Sequence, residues 1–267
     1  GVESDLMNSN MNALYISQGG LGMGNRDYYL DAENESIRTA YREYLSTLFR
    51  LAGLAEEQIP QAVEGVMHIE TSLAEKAWSN VELRNIAAQY NPTPKAEFEK
   101  TYDAVDWAAY YRTMGIGDFG TIIVTTPTAI ARANELLKTA PLEELRYYLA
   151  AQYLSAAAPY LSDAFQTASF EFFGRTMSGQ QEQRPRWKRA LAVPNGTLGE
   201  AAGAMYVAKS FPEKDKHRMT VTAKHLQTAP AEPTHPLNCV SAPTEHSHPQ
   251  QQLSPQRHIS PHAHPRE

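Results

Sequence analysis

The sequence predicts a mainly α-helical fold with at most one small sheet, followed by a disordered tail. Three observations predict it. Apolar residues return at three- and four-residue spacing through most of the first 226 residues, β-branched runs are short and few, and eight prolines fall between Gln227 and Glu267.

Taken in order, Ala13 to Ser17 reads as a first short strand, and the glycines at Gly19, Gly20, Gly22 and Gly24 as a tight loop leading from it. Ile37, Tyr41, Tyr44, Leu45, Leu48 and Leu51 then make one apolar stripe with Arg38 and Arg42 off it, which predicts an amphipathic helix. A second helix is predicted from about Pro60 to Trp78, with Val63, Val66, Met67, Leu73, Ala74 and Ala77 facing inward. Thr121 to Thr126, β-branched and following Gly120, predicts a second strand. Pro141 to Ala158 predicts a helix with proline in its first turn and Leu142, Leu145, Leu149, Tyr153 and Ala156 turned inward. Phe165, Phe172 and Phe173 fall on one face of the next helix. From Gln227 onward each proline removes a backbone donor and fixes φ, and too few apolar residues remain to offset ordering entropy by burial. Residues 1–226 are therefore expected to form the folded domain and residues 227–267 a Pro/His-rich disordered tail.

Charge and cysteine content exclude several classes. With 24 Lys+Arg against 30 Asp+Glu the formal charge is −6, which argues against nucleic acid or an anionic membrane as partner. Cys239 is the only cysteine and has no partner for an internal disulfide. The richest apolar stretch, Tyr147 to Leu161, is interrupted by Gln152, Ser155 and Pro159, so no membrane span is expected. The start at Gly1 is acidic and polar with no signal-peptide pattern, and the missing Met suggests that the original N-terminus lies upstream.

Candidate chemistry is sparse. A zinc peptidase needs two histidines one helical turn apart with a glutamate beside the first, and no H-E-x-x-H occurs; before residue 227 the histidines are His68, His217 and His225. His68, four residues after Glu64 and two before Glu70, reads as a helix-surface imidazole near a carboxylate, with a lone ligand or base as the alternative. The glycine cluster fails the G-x-G-x-x-G spacing and lacks the P-loop lysine. Arg184, Arg186, Lys188 and Arg189 around Trp187 read as a partly buried tryptophan with snorkelling basic neighbours, the alternative being phosphate or single-strand binding. Asn34 and Asn195 head N-x-S/T sequons that matter only in a secreted eukaryotic context. In the tail, His235, His246, His248, His258, His262 and His264 could bind zinc, nickel or copper loosely, although an accidental composition explains them as well.

Several segments carry a resemblance. Gln18 to Leu30, reading QGGLGMGNRDYYL, resembles the Q-x-G-L-G-x-x-x-R-D-Y-Y segment of the neprilysin and endothelin-converting enzyme family of zinc metalloendopeptidases and their bacterial oligopeptidase relatives. In the same order, Ile69 to Ala74 resembles the family's I-E-x-x-L-A helix and Tyr90-Asn91-Pro92 its Y-N-P turn. Arg186-Trp187 and Asn195 to Ala201 resemble its R-W and N-G-T-L-G-E-A segments, and Tyr206-Val207, Phe211-Pro212 and Arg218-Met219 continue the match. The resemblance implies two helical lobes enclosing a cavity that admits only short peptides. It places zinc in a C-terminal lobe, on H-E-x-x-H and a downstream E-x-x-x-D. Without H-E-x-x-H there is no such downstream pair here, nor an N-A-Y/F-Y strand, so no catalytic, cofactor-binding or metal residue is assigned to this sequence.

The matched part corresponds to the non-metal lobe. The chain is accordingly expected to be a partial neprilysin-like peptidase whose partners are short peptides and a missing catalytic lobe. Zinc belongs to the intact enzyme, the location is extracytoplasmic, and the chain alone is inactive. Two other readings differ in class: a non-enzymatic helical module that binds peptides or a partner, and a metal-binding protein working through its histidine tail. The family's helix is expected to break near residues 221 to 230, with the tail as out-of-frame sequence. A lobe without its partner is also expected to expose an apolar face and to associate or dissolve poorly.

Overall fold

A computed structural model describes residues 1–228. In chain order the elements are β1 (Val2–Ser4), β2 (Asn12–Ile16), α1 (Asp27–Leu30), α2 (Glu35–Leu51), α3 (Ile59–Lys76), α4 (Ile86–Gln89), β3 (Pro92–Pro94), α5 (Lys95–Thr101), α6 (Trp107–Thr113), β4 (Thr121–Val124), α7 (Pro127–Thr139), α8 (Leu142–Ala157), α9 (Asp163–Ser169), α10 (Arg186–Ala190), α11 (Ala192–Thr197), α12 (Gly199–Ser210) and α13 (Glu213–Thr228). The chain divides into two compact units, Gly1–Gln183 and a second that begins at Arg184. The fold is mainly α with one small sheet, as the periodicity predicts.

In the first unit the two predicted strands form β2 and β4 and pair with each other in parallel, Leu14 opposite Ile122 and Ile16 opposite Val124. β1 and β3 flank them antiparallel, giving the order β1-β2-β4-β3. The sequence reading missed both flanking strands. They are three residues each, and β3 carries Pro92 and Pro94, which an edge position tolerates because one side of the strand needs no ladder donor. Leu14, Ile122 and Val124 pack with Phe98, Tyr102 and Tyr111 in a small aromatic core.

The larger core lies between α2, α3, α8, α9 and the segment after α9. On α2, Tyr41, Tyr44, Leu45 and Leu48 are buried as expected, but Leu51 is exposed and Phe49 takes an inward place, where its ring meets Tyr147 of α8 edge-on at 6.0 Å between centroids. α3 buries Val63, Val66, Met67 and Ala74, with Ala77 buried just beyond its end; Leu73 is half-buried. Phe165 and Phe173 pack partly buried against this core and Phe172 is inside it. They do so through a π-helical turn, Phe170–Thr176, which brings Phe172 to 5.3 Å and Phe173 to 5.4 Å from the Tyr44 ring.

α8 corrects the sequence reading. Leu142, Leu149 and Tyr153 are 61 %, 63 % and 75 % exposed, Ala156 is exposed and Leu145 half-buried. The buried face is the opposite one, with Tyr147, Tyr148, Ala151, Leu154 and Ala158. Pro141 precedes the helix as its N-cap. The helix is apolar on two faces, and the inward one is fixed by two polar residues that find partners inside: Ser155 Oγ lies 2.9 Å from Tyr44 OH, and Gln152 reaches Glu70. Periodicity alone ranks that face second, since it carries the polar groups.

In the second unit α10 to α13 follow one another, and none of their described side chains is buried. Trp187 is 62 % exposed, with Lys188 Nζ 5.4 Å from its ring centroid, so the expectation of a partly buried tryptophan fails. Gln227 and Thr228 still belong to α13, two residues past the expected domain end. The remaining tail, with Cys239, the prolines and the tail histidines, lies outside the described residues.

Candidate functional site

The signature segment forms the loop between β2 and α1 and closes over α3. Gln18 is fixed at both ends of its amide: Nε2 donates to Trp78 O (3.0 Å) and Oε1 accepts from Trp78 N (2.7 Å), while its backbone N–H donates to Thr126 Oγ1 (2.8 Å). Arg26 donates to Ala77 O (2.7 Å) and lies 4.0 Å from Glu82. These bonds tie the start and end of the loop to the C-terminal end of α3.

Between the two anchors sits Glu70, on the inward stripe of α3 and with no exposed surface. Tyr29 OH donates to its Oε2 (2.7 Å); Tyr41 OH (3.1 Å) and Gln152 Nε2 (2.8 Å) donate to Oε1, and the Gly22 N–H also bonds the carboxylate. Four structural segments thus converge on one side chain. Burial pushes the Glu70 carboxyl up to about 7, and the hydrogen bonds from Tyr29, Tyr41, Gly22 and Gln152 oppose the rise. Burial, reinforced by the Glu70 charge, raises Tyr29 and Tyr41 well above the usual phenol range and Tyr148 to about 12.

The close approach explains two glycines. A Cβ on Gly22 would collide with the Tyr41 hydroxyl and come within 2.9 Å of Glu70 Oε1. Gly20 has φ +80° and its carbonyl accepts from Tyr148 OH (2.9 Å) and Gln152 Nε2 (3.3 Å). As the spacing predicts, the cluster is a tight loop between strand and helix. Sequence reasoning placed Glu70 only within a motif and beside His68. The available signal was a carboxylate on the same helical face as Val63, Val66, Met67 and Ala74, where an ionisable group needs partners.

Beside this loop lies a groove of about 600 Å³. It is lined by Gly19 and Gly20 of the loop, Ile69 and Leu73 of α3, Ala133 of α7 and Leu145 of α8, among others, and by no Asp, Glu, Lys, Arg or His.

The described residues do not fit a zinc ion. Among them no group of three His, Cys, Asp or Glu side chains is arranged to hold a metal. His68 is exposed and pairs through Nδ1 with Glu144 of α8, not with Glu64 or Glu70; Glu64 pairs with Arg42 (2.8 Å). Glu99 and Asp103 happen to have E-x-x-x-D spacing, but Asp103 is bound by Lys138 (2.9 Å). Among the described residues no helix is long and apolar enough to cross a membrane.

The chain is similar to known proteins in sequence and in fold. The chain is 29 % identical over 244 residues to neprilysin-11 of Caenorhabditis elegans, covering 85 % of this chain and 29 % of the relative. It is 27 % identical over 216 residues to the neutral endopeptidase of Lactobacillus helveticus, covering 81 % and 33 %. It superposes on the zinc metalloprotease ZMP1 of Mycobacterium tuberculosis in complex with inhibitor at a TM-score of 0.78 and 26 % identity, covering 85 % of this chain and 35 % of that one. The chain therefore spans about a third of the length of these relatives. The family model described as peptidase family M13 matches residues 1–244, a span that runs past the boundary at 226 expected from composition. With the signature loop closed around the glutamate of the I-E-x-x-L-A helix and nearly the whole chain matched, this protein belongs to peptidase family M13, the family of neprilysin-like metallopeptidases.

Proposed function

We propose that this chain supplies the cavity-shaping helical lobe of a neprilysin-like zinc metalloendopeptidase that cleaves short peptides, and that alone it does not cleave them. One observation carries the reading: the family's signature loop is committed to holding a shape. Glu70, its central carboxylate, is enclosed by four donors and reaches no solvent, so it cannot serve a substrate as acid or base. The same loop walls an apolar groove, which suits a part that shapes a cavity. In this reading zinc is held by a catalytic lobe outside residues 1–228, and no step of the reaction is assigned to residues of this chain. In the same reading the enzyme works outside the cytoplasm, in line with its family.

A chimaera tests it. Residues 1–228 replace the matched 216-residue stretch of the Lactobacillus helveticus neutral endopeptidase, and hydrolysis of a short fluorogenic peptide is followed with and without chelator. Chelator-sensitive cleavage by the chimaera, with none by the 267-residue chain alone, is the expected result. Equal cleavage by the isolated chain overturns it. A folded chimaera that binds the peptide without cleaving it favours instead a non-enzymatic peptide-binding module.

A further inference from the structure

Glu70 is surrounded by donors but by no cation. Among the described residues it forms no ion pair, because the charged groups on the elements around it are turned to other partners. Arg26 of the loop goes to Ala77 O and Glu82, Asp27 of α1 to Asn25, and Arg38 and Arg42 of α2 to Glu35 and Glu64. His68 of α3 pairs with Glu144 of α8, and Arg132 of α7 with Glu75 and Glu135. The titratable groups that do face Glu70 are the phenols of Tyr29, Tyr41 and Tyr148, none of which can supply positive charge.

The cover over this carboxyl is one residue thick. Gly22, half-buried, bonds Glu70 through its N–H, and the next N–H, of Met23, donates to Tyr29 OH (2.9 Å). Leu21 to Gly24 form a turn closed by Gly24 N–H on Leu21 O (2.9 Å), and Gly20 and Gly24 at its two ends have φ of +80° and +83°, where glycine can change its backbone angles without a side-chain penalty. Outside these hinges Gln18 and Arg26 hold the loop to the end of α3. We infer that Leu21–Met23 is a pH-dependent strap, held shut over Glu70 while that carboxyl is protonated and lifted to admit water when it ionises.

The two states differ in what the enclosed group needs. A neutral carboxyl needs one acceptor for its own hydrogen. The Tyr29 oxygen already accepts from Met23 N–H, and the Tyr41 oxygen, 3.1 Å away, can take that place. Burial of the Met23 side chain then keeps the strap down. An ionised carboxyl with no counter-ion gains from hydration, which lifting the strap provides. Enclosed, the group titrates at about 7 against an ordinary 4.5, so between those values opening releases a proton and becomes more favourable as pH rises; above about 7 the dependence levels off.

Amide hydrogen exchange on the full 267-residue chain tests this, read by nuclear magnetic resonance from pH 5 to 8.5 and divided by each amide's intrinsic rate. Gly22 and Met23 should exchange at least about tenfold faster than Leu45 and Leu48 of α2 at every pH, the mark of local opening. Their opening should rise about thirtyfold from pH 5 to 7 and less than about twofold from pH 7.5 to 8.5. Glu70→Gln should remove the rise, and Tyr41→Phe, which takes one donor from the ionised carboxyl, should carry it to higher pH. Equal protection of the strap and of α2 would mean that only global unfolding hydrates Glu70, and overturns the inference. So does strap opening that is independent of pH, or that rises as steeply in Glu70→Gln.

Discussion

Glu70 shows how one residue can set the pH response of the chain. Its carboxyl titrates near 4.5 when unfolded and at about 7 when folded. Between those values the folded state binds more protons, so this group's contribution to stability is greatest at low pH and is lost as pH rises through about 7. Denaturant midpoints measured from pH 4.5 to 7.5 should fall with a component on the order of 3 kcal/mol, and Glu70→Gln should flatten that slope. An unchanged slope would mean that the carboxyl ionises normally inside its ring of donors. At Gly22, substitution by alanine drives a methyl against Tyr41 and Glu70 and should cost about 1–3 kcal/mol; Gly19→Ala, in open space, should cost under about 0.5.

At the scale of elements, α8 and the π-helical turn decide the packing of the first unit. On α8 the exposed Leu149 and Tyr153 contribute little to the unit's own stability, and Leu149→Glu or Tyr153→Glu should shift it by no more than about 0.5 kcal/mol. Phe172, 2 % exposed and stacked on Tyr44, is held in place by the π turn, and Phe172→Ala should cost about 3–5 kcal/mol. Thermal or denaturant melts of the three variants check the contrast. If the α8 variants were the costly ones, the outward face would belong to the core as its periodicity first implied.

For the whole molecule the consequence is exposed apolar surface. Leu142, Leu149, Tyr153 and Tyr160 stand out from one face of α8 and the 3₁₀ turn after it, and Trp187, Met205 and Tyr206 are exposed in the second unit. Surfaces of this kind promote association. Light scattering on the purified chain should therefore give a mass above the monomer's, and the double change Leu149→Glu with Tyr153→Glu should lower it. A sharp monomer peak for the unaltered chain would count against a missing partner lobe.

The helical class, both central strands, most of the inward stripes of α2 and α3, and the family are legible in the sequence, because each is written in local periodicity or in contiguous motifs. It did not determine which face of α8 turns inward. That choice rests on Gln152 and Ser155 finding Glu70 and Tyr44, residues 82 and 111 positions away. Nor did it reveal the edge strands, three residues long and defined only by their neighbours. The signature loop was legible as a motif, but its physical meaning was not. Tertiary structure alone brings Gly22, Tyr29, Tyr41 and Gln152 onto one buried carboxylate, since a group with no solvent must find its partners wherever the chain folds back upon it.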